Sequence, residues 1–136
     1  MSNDEKIISD IYGISIEVAK NICPTEEWYI NLLKKKPEDI NMCEITKMLI
    51  HNTFLETAIE MAIKILEDDY MAGEFYDGHL LKLLSNVELG KYNSQVDNLR
   101  TTMNKIKKIV KEDDWDTEED YNEYVNNLNK SLELLK

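Results

Sequence analysis

The sequence is poor in chain breakers, with four glycines and two prolines in 136 residues. Few breaks leave room for long helices. Cysteine is scarce as well. Cys23 and Cys43 are the only two, their spacing fits no zinc or redox motif, and both are expected as reduced, partly buried thiols. The two histidines, His51 and His79, stand in no His-Glu-x-x-His arrangement, and neither has a third ligand at helical spacing. No metal and no cofactor are expected, and both histidines are assigned to surface or boundary positions. A Cys–His nucleophile pair would need an activated thiol. Only Cys23, just before Pro24 and near a helix start, offers even a weak reason for one. No apolar run reaches the length of a signal segment or a membrane span, so the chain is expected in the cytoplasm.

Positive charge is also in short supply. Sixteen basic residues face 27 acidic ones, for a formal net charge of −11. A free-standing nucleic-acid binder needs the opposite sign to neutralise phosphates, and an anionic membrane surface would repel the chain. A basic partner would be attracted, and at low salt its encounter would be accelerated. Solubility alone explains such a charge too, so charge does not by itself identify a partner.

What is present is a globular composition, 43% hydrophobic and 32% charged, arranged with helical periodicity. Residues 4–22 fit one or two short helices, or a helix and an extended piece. Thr25 is placed to cap a helix carrying Trp28, Tyr29, Leu32 and Leu33, which ends in Lys34, Lys35 and Lys36 before Pro37. Residues 41–52 form the next helix, with Asn52 as a stop and Thr53 as a new cap. The cleanest amphipathic stretch follows, through Leu55, Ala58, Ile59, Ala62, Ile63 and Leu66. A loop begins at Glu67 to Asp69 and runs to Gly78, and a short Leu-rich helix starts at His79. Val96, Leu99, Met103, Ile106 and Val110 step by three and four as a narrow seam. The last helix, capped by Thr117, carries Tyr121, Tyr124, Val125, Leu128, Leu132 and Leu135. The prediction is an all-α fold: a single-domain helical bundle, residues 1–136, of about six helices with a C-terminal helical hairpin over 91–136.

The search for chemistry returns no catalytic constellation, and the chain is not expected to be an enzyme. Gly73 and Gly78 have the spacing of half a P-loop. His79 and Leu80, however, stand where Lys and Ser/Thr are required, and the loop is acidic. The run from Glu112 to Glu123 holds eight acids and no Lys or Arg. Read as a calcium loop from Asp114, it puts Glu119 where Gly is needed and Val125 where Glu is needed. Part of the run serves the first turn of the Thr117 helix. The remainder is a solvated turn or a docking patch for basic groups, with the solvated turn favoured. The loop from Asp68 to His79 is more informative. It interleaves Asp68, Asp69, Glu74 and Asp77 with Tyr70, Met71, Phe75 and Tyr76 between two glycines. An interface for a basic protein uses such a mixture, and an ordinary connection whose aromatics fold inward would carry it as well.

At this loop the sequence resembles the immunity proteins of contact-dependent growth inhibition. The resemblance rests on the lead-in Lys36-Pro37-Glu38-Asp39-Ile40, on the helices carrying Leu49, Ile50, Phe54, Leu55, Ala58, Ala62, Ile63 and Leu66, and on the motif Gly73-Glu74-Phe75-Tyr76-Asp77-Gly78-His79-Leu80-Leu81. It covers residues 28–90, an immunity-like core, and departs from the family pattern at His79, where an acid is expected. The resemblance implies a cytoplasmic protein that binds the C-terminal domain of a contact-delivered toxin and neutralises it. The toxin is expected to be a basic nuclease. Neither direct nucleic-acid contact nor membrane contact is implied. The expected contact residues are Asp68, Asp69, Glu74, Tyr76, Asp77 and His79, with Tyr76 as anchor. A reading of another class makes the chain a helical scaffold that self-associates through the seam of Val96 to Val110 and the stripe ending at Leu135.

Overall fold

The computed structural model describes residues 6–135; the polar opening stretch from Met1 to Glu5 lies outside them. Eight α-helices are present among the described residues, and no strand. They are α1 (Ile8–Tyr12), α2 (Ile16–Ile22), α3 (Glu27–Leu33), α4 (Met42–Ile50), α5 (Leu55–Asp68), α6 (His79–Ser85), α7 (Asn93–Ile109) and α8 (Glu118–Leu134). The all-α expectation is met. There are eight rather than about six: six follow residue 22, and residues 4–22 hold two short helices, since Gly13, left-handed at φ 64°, closes α1 and Ser15 opens α2 by accepting the Val18 N–H. The chain forms two compact units, with the division after Ile45, inside α4.

In the first unit α1 and α2 pack on α3. Ile8, Leu32 and Leu33 are fully buried. The Ile8 N–H donates to the Lys35 carbonyl at 2.8 Å, which ties the start of α1 to the end of α3. Thr25 does not cap α3: Glu26 occupies the N-cap and makes no side-chain cap bond. The cap that does form lies later. Asn41 Oδ1 accepts the Glu44 N–H at 2.8 Å, and Glu44 Oε1 accepts the Asn41 N–H at 3.1 Å, a reciprocal capping box that starts α4. The same Glu44 Oε1 takes Lys35 Nζ at 2.7 Å. Cys43 is exposed and Cys23 half-buried, both as free thiols. Cys43 is less buried than the sequence reading has it, because the buried positions of α4 begin at Ile45.

In the second unit α5, α6, α7 and α8 surround one core. Leu80, Leu81 and Leu84 of α6 have no exposed surface, and neither do Ala58, Ile59 and Ala62 of α5 or Leu128 of α8. The hairpin of α7 and α8 is present, but α8 packs more extensively on α6 than on α7. The seam residues Leu99, Met103 and Ile106 are buried as the spacing requires. Arg100 Nη2 closes the open end of the hairpin by donating to the Leu135 carbonyl at 2.6 Å. Two boundaries differ from expectation. Thr53 gives no cap to α5; its hydroxyl donates to the His51 carbonyl, and Phe54 takes the N-cap with a left-handed backbone at φ 48°. At the other end α5 runs on through Asp68, past its unfavourable acidic last turn, because Leu66 is buried there and the Asp69 N–H still reaches the Ile65 carbonyl at 2.9 Å.

Thr117 caps α8 as expected, its hydroxyl accepting the Asp120 N–H at 3.0 Å. Thr117→Ala is expected to lower unfolding free energy by about 1 kcal/mol in urea titration, whereas Thr25→Ala, which removes no cap, should change it by less than about 0.5 kcal/mol.

Candidate functional site

The connection from α5 to α6 is short of free length because its own backbone folds it up. Asp69 Oδ1 accepts the Met71 N–H at 3.0 Å, and the Asp69 carbonyl accepts the Ala72 N–H at 3.1 Å. The Met71 carbonyl then accepts the Gly78 N–H at 2.7 Å, and the Ala72 carbonyl accepts the Leu80 N–H at 3.1 Å. These bonds pinch the loop at its neck and leave residues 74–77 as a raised tip. Both glycines are required by the pinch. A Cβ on Gly73 would lie 2.2 Å from the Tyr76 carbonyl oxygen and 2.6 Å from His79 Cβ. Gly78 is left-handed at φ 85°, and a Cβ there would meet ring atoms of Trp115 and Tyr124 at 2.9 Å.

The aromatic residues of the loop divide. Tyr70 turns inward and joins Trp115 and Tyr124, with ring centroids 6.4 and 5.6 Å away; the Trp115 and Tyr124 rings are 4.9 Å apart. The Tyr124 hydroxyl donates to the Tyr70 carbonyl, and the Tyr70 hydroxyl donates to Asp114 Oδ2, each at 2.7 Å. Burial raises the pKa of both phenols, that of Tyr70 to about 12 with Asp114 adding to the effect. Phe75 and Tyr76 turn outward. Phe75 is 74% exposed and Tyr76 47% exposed. Tyr70 thus folds inward as an ordinary connection would have it, while Phe75 and Tyr76 stay at the surface.

The expected contact residues are placed as follows. Glu74, Tyr76 and Asp77 share the exposed tip. Asp68 and Asp69 are exposed too, but at the end of α5, and Asp69 spends one oxygen on the loop neck. His79 is buried, not at a surface or boundary position. Its ring lies beneath Phe75 and Tyr76, with centroids at 5.3 and 4.6 Å. Its pKa is lowered by burial and by Lys82, against a smaller opposing pull from Glu74, and its Nδ1 has no hydrogen-bond partner. His79 is a platform for the tip. A carboxylate at this position would be buried.

Sequence reasoning missed three components. It placed Phe75 in the loop without making it a contact. It treated the acidic run separately, although Trp115 brings that run against Gly78. It also gave no place to Lys82, whose ammonium lies 3.0 Å from Glu123 Oε1 and 5.8 Å from the centre of the Tyr76 ring. A lone tryptophan within eight acids was the available signal, because so large an apolar surface is rarely left in water. For Phe75 no such signal exists.

Residues 10–102 match the sequence profile of the CDI immunity proteins. The chain belongs to this family. The match runs beyond both ends of the 28–90 stretch read from the sequence, into α1 and through most of α7. Searches of curated proteins and of solved structures return no significant match. In this immunity protein the matched region contains the whole α5–α6 loop, whereas Trp115 and Tyr124, which hold the loop from the other side, lie past its end. Among the described residues no helix is long and apolar enough to cross a membrane, and no three His, Cys, Asp or Glu side chains are grouped to hold a metal ion.

Gly78→Ala forces a left-handed backbone on an L-residue and a methyl into two packed rings. It is expected to destabilise the chain by about 2 kcal/mol or more in urea unfolding and to raise the solvent accessibility of Trp115, read by fluorescence quenching.

Proposed function

We propose that this immunity protein binds a cognate contact-delivered toxin domain in the cytoplasm, and neutralises it by occupying its surface rather than by catalysis. The observation that carries the reading is the loop tip. Two large aromatic side chains, Phe75 and Tyr76, are held out in water between Glu74 and Asp77 on a backbone fixed by hydrogen bonds at its neck. Exposed aromatic surface is costly in water, and a rigid presentation lowers the entropy lost on binding, which together describe an interface anchor. The flanking carboxylates and the net charge of −11 suit a basic toxin, as a nuclease would be. Phe75 joins Tyr76 as an anchor, Glu74 and Asp77 supply charge at the rim, Asp68 and Asp69 widen the acidic margin, and His79 supports the two rings from below.

The self-association reading draws less support from the seam. Leu99, Met103, Ile106 and Leu128 are buried within the second unit, while Val96 and Val110 are half-buried.

Phe75→Ala and Tyr76→Ala are each expected to weaken toxin binding by about thirtyfold or more in calorimetric titration, with the thermal midpoint of the free protein unchanged. Unchanged affinity in both would remove the anchor assignment. Failure of the unsubstituted chain to protect cells expressing the toxin domain would remove the function.

A further inference from the structure

Beside the loop tip, the second unit has a cleft of about 200 Å³. Tyr76, Trp115 and Tyr124 give it aromatic walls; Asp77, Asp116, Asp120 and Glu123 bring carboxylates to it. Two stretches far apart in sequence build it: residues 76–82, from the loop into α6, and residues 115–127, which lead into α8. One cation already uses part of it. Lys82 reaches Glu123 with its ammonium and lies over the face of Tyr76, so a single positive group faces four carboxylates. Resting on the toxin-binding reading above, we infer that this cleft receives an arginine side chain of the partner, which displaces Lys82 from Tyr76 and Glu123.

The chemistry selects arginine over lysine. A guanidinium is planar, stacks on aromatic faces, and presents a fork of donors that two carboxylate oxygens accept together. An ammonium has no face to stack, and Lys82 already supplies one. The Lys82–Glu123 pair is exposed on both sides, so it is weak and exchangeable. The cleft also adjoins the aromatic anchor, since Tyr76 belongs to both. One arginine seated here would lie alongside Phe75 and Tyr76 in the same contact, a hydrophobic anchor next to a charged one.

The test uses the full chain with Trp28→Phe, so that Trp115 is the only tryptophan. Its fluorescence is followed during titration with hexa-arginine, hexa-lysine and hexa-glutamate at low salt. Hexa-arginine is expected to give a saturable change and hexa-glutamate none. Asp116→Asn with Asp120→Asn should weaken hexa-arginine about tenfold, while Glu17→Gln with Glu60→Gln, the same charge removed elsewhere, should change it less than about twofold. Lys82→Met should strengthen it about threefold and Lys91→Met should not, because only Lys82 competes for the cleft. Equal effects of the two acidic pairs, equal effects of the two lysine variants, or hexa-lysine bound as tightly as hexa-arginine would each overturn the inference. Circular dichroism of every variant guards against loss of fold. A chain that captures hexa-arginine in this way but does not neutralise its toxin keeps the cleft and loses the toxin reading. A chain that neutralises its toxin without discriminating these variants does the reverse.

Discussion

The contact on which the loop depends is the seating of Gly78 against the rings of Trp115 and Tyr124. It joins two segments nearly forty residues apart, one matched by the family profile and one beyond it. A side chain at Gly78 would push the rings away. Without the rings, the neck of the loop would lose the hydroxyl that Tyr124 sends to the Tyr70 carbonyl, as well as the surface on which Tyr70 rests. Everything exposed at the tip follows from this. Tyr70 faces inward because Asp114 and the two rings receive it, and Phe75 and Tyr76 face outward because His79 and the pinched backbone fill the space beneath them. The tip is held by contacts that lie under it.

Much of the helical framework was legible from periodicity. The stripe from Leu55 to Leu66 and the seam through Leu99, Met103 and Ile106 face the core because a 3.6-residue period leaves such residues no other place to go. Caps were less legible. Ser, Thr and Asn all compete for helix starts, and which one wins depends on backbone angles that neighbouring contacts set. Thr117 caps α8, Thr25 and Thr53 cap nothing, and the capping box that operates is Asn41 with Glu44, written in the sequence as Asn-x-x-Glu.

The site was half legible. Acids and aromatics alternating between two glycines marked the loop, and Glu74, Tyr76 and Asp77 are indeed together at its tip. Burial could not be read there. His79 and Tyr76 are separated by two residues, yet one lies under the other, and no periodic pattern sorts the residues of an irregular loop into inner and outer sets. The acidic run and the loop looked like separate features because nothing local to either announces the other. Their meeting is a long-range contact, and Trp115 is the residue through which it is made. The charge of the chain acquires a location in the same way. Asp77 from the loop and Asp116, Asp120 and Glu123 from the run line one cleft, with Lys82 alone among them in opposite sign.

The account centres on a partner that covers the loop tip and the adjoining start of α8. Hydrogen–deuterium exchange of the chain, with and without the cognate toxin domain, addresses this directly, since it reports the footprint without altering a residue. The predicted result is slowed exchange across residues 73–82 and 115–124, with the first unit unchanged. Slowed exchange confined to residues 6–45, with the loop and the start of α8 unaffected, would contradict it.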